Sequence, residues 1–565
     1  MNSSNNVNFI VSELVQHPQF GHWHYITNRL LTLYDRSLEL LQDLVPAAGV
    51  LNNELSKGGS KIRYLISTDP IFRRTIDHAI GLNNDPNSQE HNGHQFHLVN
   101  EMCIEMTRLA KELKSNPACT PMQAFGTGLG DDKFIGVPPF HIVCWHPQSV
   151  ETPLDVASRF QALFDQEIAE GITSDKAIMR SLTPEFQNIL NKGLDILHLV
   201  SPELARDALS HVKVLGIVDR SNYQTQGAKK RYDLCQNVST HRIPGTIFLS
   251  PTPLRHPLHA AEAVLHEALH KKLSNIVSTM DIFTPRYDTE TAPTIPAIWN
   301  PDLSWNSNQW PIDRALYALH FYAHISVYYL LFDDEKWEKI LTEHGDPGDL
   351  YIETKVRKAL DRAHYLSDEL SKIQDGFLGD AGQKLLAWLD SICEKTDSNP
   401  PLQDPRPILR LDLYDRETQE IVALLKSLPE EAVFHPTAGT EGWTIGQTIQ
   451  HLIHSEIVSA YRILMTLGQE KSPVFSWYDG DSWGQVIGNG LSPAQNADIF
   501  KALRQFTSTT LRKSAKDNDY QRSYRSTGSK RTLHDLLEMA VQHVNNHLPM
   551  LKRAVLEWKK SQKKG

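Results

Sequence analysis

From residue 8 to about 115, apolar side chains recur every three or four positions. The clearest run is Tyr25–Leu44, YITNRLLTLYDRSLELLQDL. That period predicts a series of amphipathic helices. The pattern changes over 118–150. Gly and Pro punctuate the chain there (FGTGLGDDKFIGVPP), and FHIVCWHP follows as a short buried-strand pattern. Helical spacing returns from about 153 to 208. HVKVLGIVD and STHRIPGTIFLSP then read as two strands on either side of a polar loop. A strong helix is expected from about His259 to Val277. An irregular stretch rich in Pro, Asn and Trp fills 281–309, and helical patterns resume over 311–332 and 335–394.

The next stretch, EKTDSNPPLQDPRPI, is polar and holds four prolines, so no helix or strand is expected to run through it. Beyond it, four amphipathic segments separated by Gly/Pro/Asp loops predict a small four-helix bundle. The expected fold class is therefore mainly α with a small β component.

The length of 565 residues supports more than one core and rules out a single small module. Lys plus Arg total 57 against 67 Asp plus Glu, a formal charge of −10, which argues against nucleic acid or an anionic membrane as partner. The five cysteines are scattered and form no CxxC pair, so neither a disulfide framework nor a cysteine zinc site is expected. With no signal-peptide pattern and no apolar span long enough for a bilayer, a cytoplasmic location is expected. The surplus is in histidine, 26 residues of it, and histidine is the commonest metal ligand.

AEAVLHEALHKKL contains HExxH, placing His266 and His270 one helical turn apart with Glu267 between them. On a helix both imidazoles can reach one metal. The metzincin continuation fails, because Leu273 and Ile276 stand where Gly and His are needed. A third ligand is better sought in RALYALHFYAHISVYYLLF, where His320 and His324 recur at the same spacing inside an apolar stretch. Of the two, His320 is favoured, and a core histidine bonded to backbone is the plain alternative for His324.

This region resembles the HExxH-type peptide β-hydroxylases, iron- and 2-oxoglutarate-dependent enzymes met in peptide natural-product pathways. The resemblance runs through RIPGTIFLSP, the HExxH helix, WPIDRALYALH and the apolar tail of that helix, about residues 205–335. It implies Fe(II) held by His266, His270 and His320. The family's small-residue stretch and glycine around the last His are replaced here by Tyr317 and Phe321. Three protein ligands leave three places on octahedral iron, two for a 2-oxo acid and one for O₂. The far carboxylate of 2-oxoglutarate calls for a fixed guanidinium, and Arg314 is the first candidate, Arg242 the second. Glu267 is the general base if the site is a zinc peptidase. In an oxygenase it would hold a ligand or substrate by a hydrogen bond.

In the C-terminal segment, GWTIGQTIQHLIHSE begins a helix with Thr444 as N-cap and carries His451; RTLHDLLEMAVQHVNNHLPML places His543 and His547 four apart on the last helix. One His from an early helix and an HxxxH pair from the last form a three-histidine metal site. Together with the Trp443–Glu456 run, SWYDGDSWG (476–484) and the RTLHDLL lead-in, this resembles the DinB/YfiT-like metal-binding four-helix bundles over about 410–557. The resemblance implies a second divalent metal (Zn, Ni or Fe) and a domain that is either catalytic or a binding module, with a homodimer formed through the bundle.

The expected organisation is an HExxH metalloenzyme domain over 1–395, a linker over 396–408 and the bundle over 409–560. The first part divides into a helical N-terminal region (1–205), a metal core (206–335) and a helical region (336–395). The expected activity is hydroxylation of a peptide side chain. A zinc metallopeptidase using Glu267 and a non-catalytic two-metal scaffold are the alternatives.

Overall fold

The computed structural model describes residues 3–83, 92–116, 134–135, 142–144, 178–180, 182–219, 243–251, 253–299, 308–345, 347, 352–373, 376–399, 407–437, 443–469, 473–475, 491–515, 522–526 and 529–562. It is rich in helix with few strands, the mainly-α class that the periodicity predicts.

The N-terminal third supplies α1 (Ser3–Gln16), α2 (Trp23–Leu41), α3 (Pro46–Ser67), α4 (Pro70–Asn83) and α5 (Asn92–Ser115). A small sheet follows, made of β1 (Phe134–Ile135), β2 (Ile142–Cys144), β3 (Ile178–Arg180), β4 (Val214–Asp219) and β5 (Thr246–Leu249). Strand β4 is its centre. It pairs parallel with β2 and with β5, and antiparallel with β3. Strand β3 corrects the helix expected throughout 153–208. The chain is extended at Ile178–Arg180, and helix begins only at α6 (Pro184–Val200), where Thr183 caps the first turn by accepting from Phe186 N. Residues 153–177 of that expected helix lie outside the described residues.

The period of two in β4 and β5 divides the interior. Leu215, Ile217, Ile247 and Leu249 join one hydrophobic core, and Val214, Val218 and Phe248 join another with α2–α5. Helices therefore cover both faces of the sheet, which is why these strands are apolar at nearly every position. Gly245 adopts a φ of 62° at the turn into β5, a conformation a side chain would resist.

The helix after β5, α8 (Pro257–Thr279), follows the short α7 (Pro202–Leu209) in chain order and carries HExxH. Few of its positions reach solvent. Gly193 of α6 lies so close that a Cβ there would meet Pro257 O at 2.9 Å and Ala261 N at 3.0 Å. The expected irregular stretch contains two very short strands, β6 (Ile295–Pro296) and β7 (Gln309–Trp310), paired antiparallel. Next come α9 (Ile312–Leu330), α10 (Asp334–His344), α11 (Ile352–Ile373) and α12 (Asp380–Asp397), with α9 at the centre of the larger core.

The C-terminal bundle consists of α13 (Pro407–Lys426), α14 (Ile445–Gly468), α15 (Pro493–Ser514) and α16 (Leu533–Gln562). A three-stranded sheet not foreseen from the sequence accompanies it, formed by β8 (Val474–Phe475), β9 (Ser523–Ser526) and β10 (Ser529–Thr532). Among the described residues no single helix is long and apolar enough to cross a membrane.

Candidate metal centres

Helix α14 starts at a capping box. Thr444 Oγ1 accepts from Gln447 N, and the Gln447 side chain accepts from Thr444 N in return. This fixes the first turn and sets His451 facing α16. Along α16, His543 and His547 share a face as an i, i+4 pair. One ligand atom from each of the three imidazoles lies within 4.8 Å of the others. His451 Nε2 and His543 Nε2 approach to 2.8 Å. Trp443 meets the His451 ring edge-on at 5.0 Å between centroids.

Burial, reinforced by His547, His451 and Arg504, pushes the His543 imidazole down to about 3. It is neutral at ordinary pH and offers a lone pair. The donor set therefore suits a borderline divalent ion, which takes neutral imidazole nitrogen. Among the described residues this is the one group of three metal-capable side chains that converges in this way.

The HExxH pair is also assembled. His256 caps α8 by accepting from Leu258 N at Nδ1, and its Nε2 bonds the carbonyls of His344 and Gly345 at 3.2 and 3.3 Å. Two and a half turns later His266 Nε2 and His270 Nε2 stand 2.9 Å apart. Glu267 is buried, with Oε1 3.9 Å from His266 Nδ1. Burial lowers the ammonium of Lys271, one turn on, to about 7, and Lys271 Nζ donates to Ile243 O at 2.8 Å.

His320 does not close the set. The ligand atoms of His266, His270 and His320 are not among the groups of three that come together. Phe321 takes the facing position, its ring stacked on His266 at 3.9 Å, and Tyr317 flanks His270 at 5.8 Å. Yet His320 is fully buried, and neither ring nitrogen has a hydrogen-bond partner. Burial, His324, Lys272, His270 and His211 together push it well below the usual imidazole range. An ion beside His270 would satisfy one of the two His320 nitrogens and leave the other without the hydrogen-bond acceptor that a ligating imidazole normally has. His324 takes the plainer role at one nitrogen, donating from Nδ1 to His320 O at 2.7 Å.

Arg314 is exposed, with its guanidinium 4.7 Å over the Trp310 ring. It shares a helix face with Tyr317 and Phe321 by spacing. Arg242 and the SWYDGDSWG segment lie outside the described residues.

The sequence reading missed several polar residues around α8. Lys272 pairs with Asp207 at 2.6 Å, both fully buried. Glu262, one turn before His266, bonds Lys355 at 2.6 Å and Tyr329 Oη at 2.8 Å. Arg73 donates to Asn275 Oδ1 at 2.8 Å, and Asn275 Nδ2 donates to His211 Nδ1 at 2.9 Å, so the remaining proton of His211 sits on Nε2. The signal available was the run of charged and polar residues in an otherwise apolar helix, at Lys271, Lys272 and Asn275.

Residues 413–551 match the DinB superfamily. Among solved structures, similarity is found to YfiT from Bacillus subtilis, described as a probable metal-dependent hydrolase with an unusual four-helix bundle topology. The identity is 18% and the TM-score 0.26, covering 28% of this chain and 90% of that one. No curated protein matches.

Proposed function

We propose that a chain with a DinB superfamily domain at 413–551 is a metalloprotein with two centres. The bundle would hold a divalent ion on His451, His543 and His547. The observation that carries this reading is the convergence of those three imidazoles within 4.8 Å from two different helices. Three protein nitrogens leave a position open for an exchangeable ligand, the arrangement of a catalytic rather than a closed structural site.

For the larger part we propose an Fe(II)- and 2-oxoglutarate-dependent hydroxylase acting on a peptide side chain. The paired His266 and His270 nitrogens, 2.9 Å apart, and the orphaned His320 beside them support this reading, as does the resemblance along RIPGTIFLSP and the two His-bearing helices. His266, His270 and His320 would hold the iron, which with 2-oxoglutarate supplies the O₂ chemistry that places oxygen on a C–H bond. The chain's own residues supply the rest. Arg314 offers a cation for the distal carboxylate. Phe321 and Tyr317 bring apolar surface beside the imidazoles and exclude water from one side.

The test is purification without oxygen, addition of Fe(II) and 2-oxoglutarate, then admission of O₂ with peptides encoded beside the gene. Succinate release with a peptide gaining one oxygen atom is expected. Zinc-dependent cleavage of the peptide would overturn the oxygenase reading in favour of a peptidase with Glu267 as base. Metal content is expected to show two components, one removed by His266→Ala and the other by His543→Ala.

A further inference from the structure

Arg504 lies in the middle of α15 with no surface exposed. Its planar fork reaches the other three helices of the bundle. Nε donates to Glu456 Oε2 on α14 at 3.0 Å, Nη2 to Ala540 O on α16 at 3.0 Å, and Nη1 to Tyr414 O on α13 at 3.1 Å. Glu417 Oε2 stands 3.5 Å from Nη1. The guanidinium carbon lies 3.7 Å from the Tyr414 ring centroid, and Tyr414 Oη donates to the other oxygen of Glu456.

The positions of these partners matter. Glu456 follows His451 by five residues on α14, and Ala540 precedes His543 by three on α16. Thr418 Oγ1 adds a weaker contact at 3.5 Å. A buried cation held by two carboxylates is no economical way to fill a core, since apolar residues of similar volume are as good or better for stability. What the guanidinium provides, and an apolar side chain or a lysine cannot, is directional bonding to several backbones at once.

We infer that Arg504 is the positioning residue of the imidazole triad. It fixes the offset between the helix that carries His451 and the helix that carries His543 and His547, so that three nitrogens meet at one point. The inference rests on the reading of the triad as a metal centre.

The test uses Co(II) as probe on the full-length chain, reading the component of binding that His543→Ala removes. Arg504→Lys keeps the charge and loses the fork. Its metal-free helical circular dichroism is expected to match wild type, while Co(II) affinity at the triad falls about tenfold and the visible band shifts. Tyr414→Phe keeps the ring and removes only the hydroxyl that holds Glu456, and about a threefold loss is expected. A folded Arg504→Lys chain with wild-type affinity and spectrum overturns the inference. If Arg504→Lys loses helical signal, unchanged Co(II) binding by Tyr414→Phe does so instead. Absence of any component sensitive to His543→Ala overturns the metal reading itself, and this inference with it.

Discussion

Phe321 stacks on His266 at 3.9 Å between ring centroids, with 25° between the planes. The α9 helix thus meets the HExxH face with a phenyl ring where the next residue back, His320, was expected. The ring holds one imidazole in place and shields the pair. Phe321→Ala is expected to cost about 3–5 kcal/mol of stability, the usual loss for a buried aromatic ring. It should also speed chelator extraction of metal from the HExxH pair. Unfolding curves and extraction rates measure both, and an unchanged extraction rate would remove the shielding role.

His320→Leu separates a ligand from a core histidine. The native imidazole is fully buried with both nitrogens unbonded, so an apolar residue of similar size should stabilise the metal-free chain by about 1–3 kcal/mol. The same variant should lose the extra stability that Fe(II) gives wild type. Melting with and without metal reads both effects. If Fe(II) raises the melting temperature of the variant as much as that of wild type, His320 is no ligand.

Asp69 gives the chain a pH dependence. Its carboxylate is buried and accepts from Phe72 N at 2.8 Å at the start of α4. Burial pushes it up to about 6 from an ordinary 3.8, against the pull of the Phe72 and Ile71 amides. The folded state therefore binds a proton that the unfolded state has already released between pH 4 and 6. Stability from this group is complete below about pH 4 and is lost as pH rises through 6, by about 3 kcal/mol. Asn accepts the same capping bond and does not titrate. Relative to wild type, Asp69→Asn should gain stability between pH 4 and 7, measured by denaturant unfolding at both values. A constant difference would show that the carboxylate is not shifted.

Asp207 and Lys272 form the buried ion pair that ties α7 to α8. Removing one partner strands the other charge in the core. Asp207→Ala is expected to cost about 3–5 kcal/mol, while the double change Asp207→Leu with Lys272→Met should recover most of it. Chemical denaturation of the three chains measures this. Equal losses in the single and double variants would mean that packing, not charge, is what the pair supplies.

Much of this arrangement was legible in the chain. The triad of His451, His543 and His547 could be read because each member has a clean helical period around it, and the capping signal at Thr444 is local. Strand β3 was illegible for the opposite reason. Ile178–Arg180 is three residues long, and what makes it a strand is pairing with β4, some 40 residues on. The same limit applied to α9. Sequence spacing says that Tyr317, Phe321 and His324 recur around a helix, but packing against α8 decides the rotation that turns Phe321 towards His266. The buried charges at Asp207 and Lys272 were hidden because their partnership exists only in three dimensions.

The four-helix attachment of Arg504 also bears on how the bundle is made. Its guanidinium has its full set of bonds only when Tyr414, Glu456 and Ala540 are all in place, and Ala540 belongs to the last helix. During synthesis the first three bundle helices would leave this cation short of a partner, so the bundle should close late, after α16 has left the ribosome. A chain ending before Leu533 would keep three amphipathic helices, with Arg504 still beside Glu456 and Glu417 but lacking the Ala540 carbonyl and the apolar face of the last helix. It should persist as an open, protease-sensitive form rather than as a smaller folded domain.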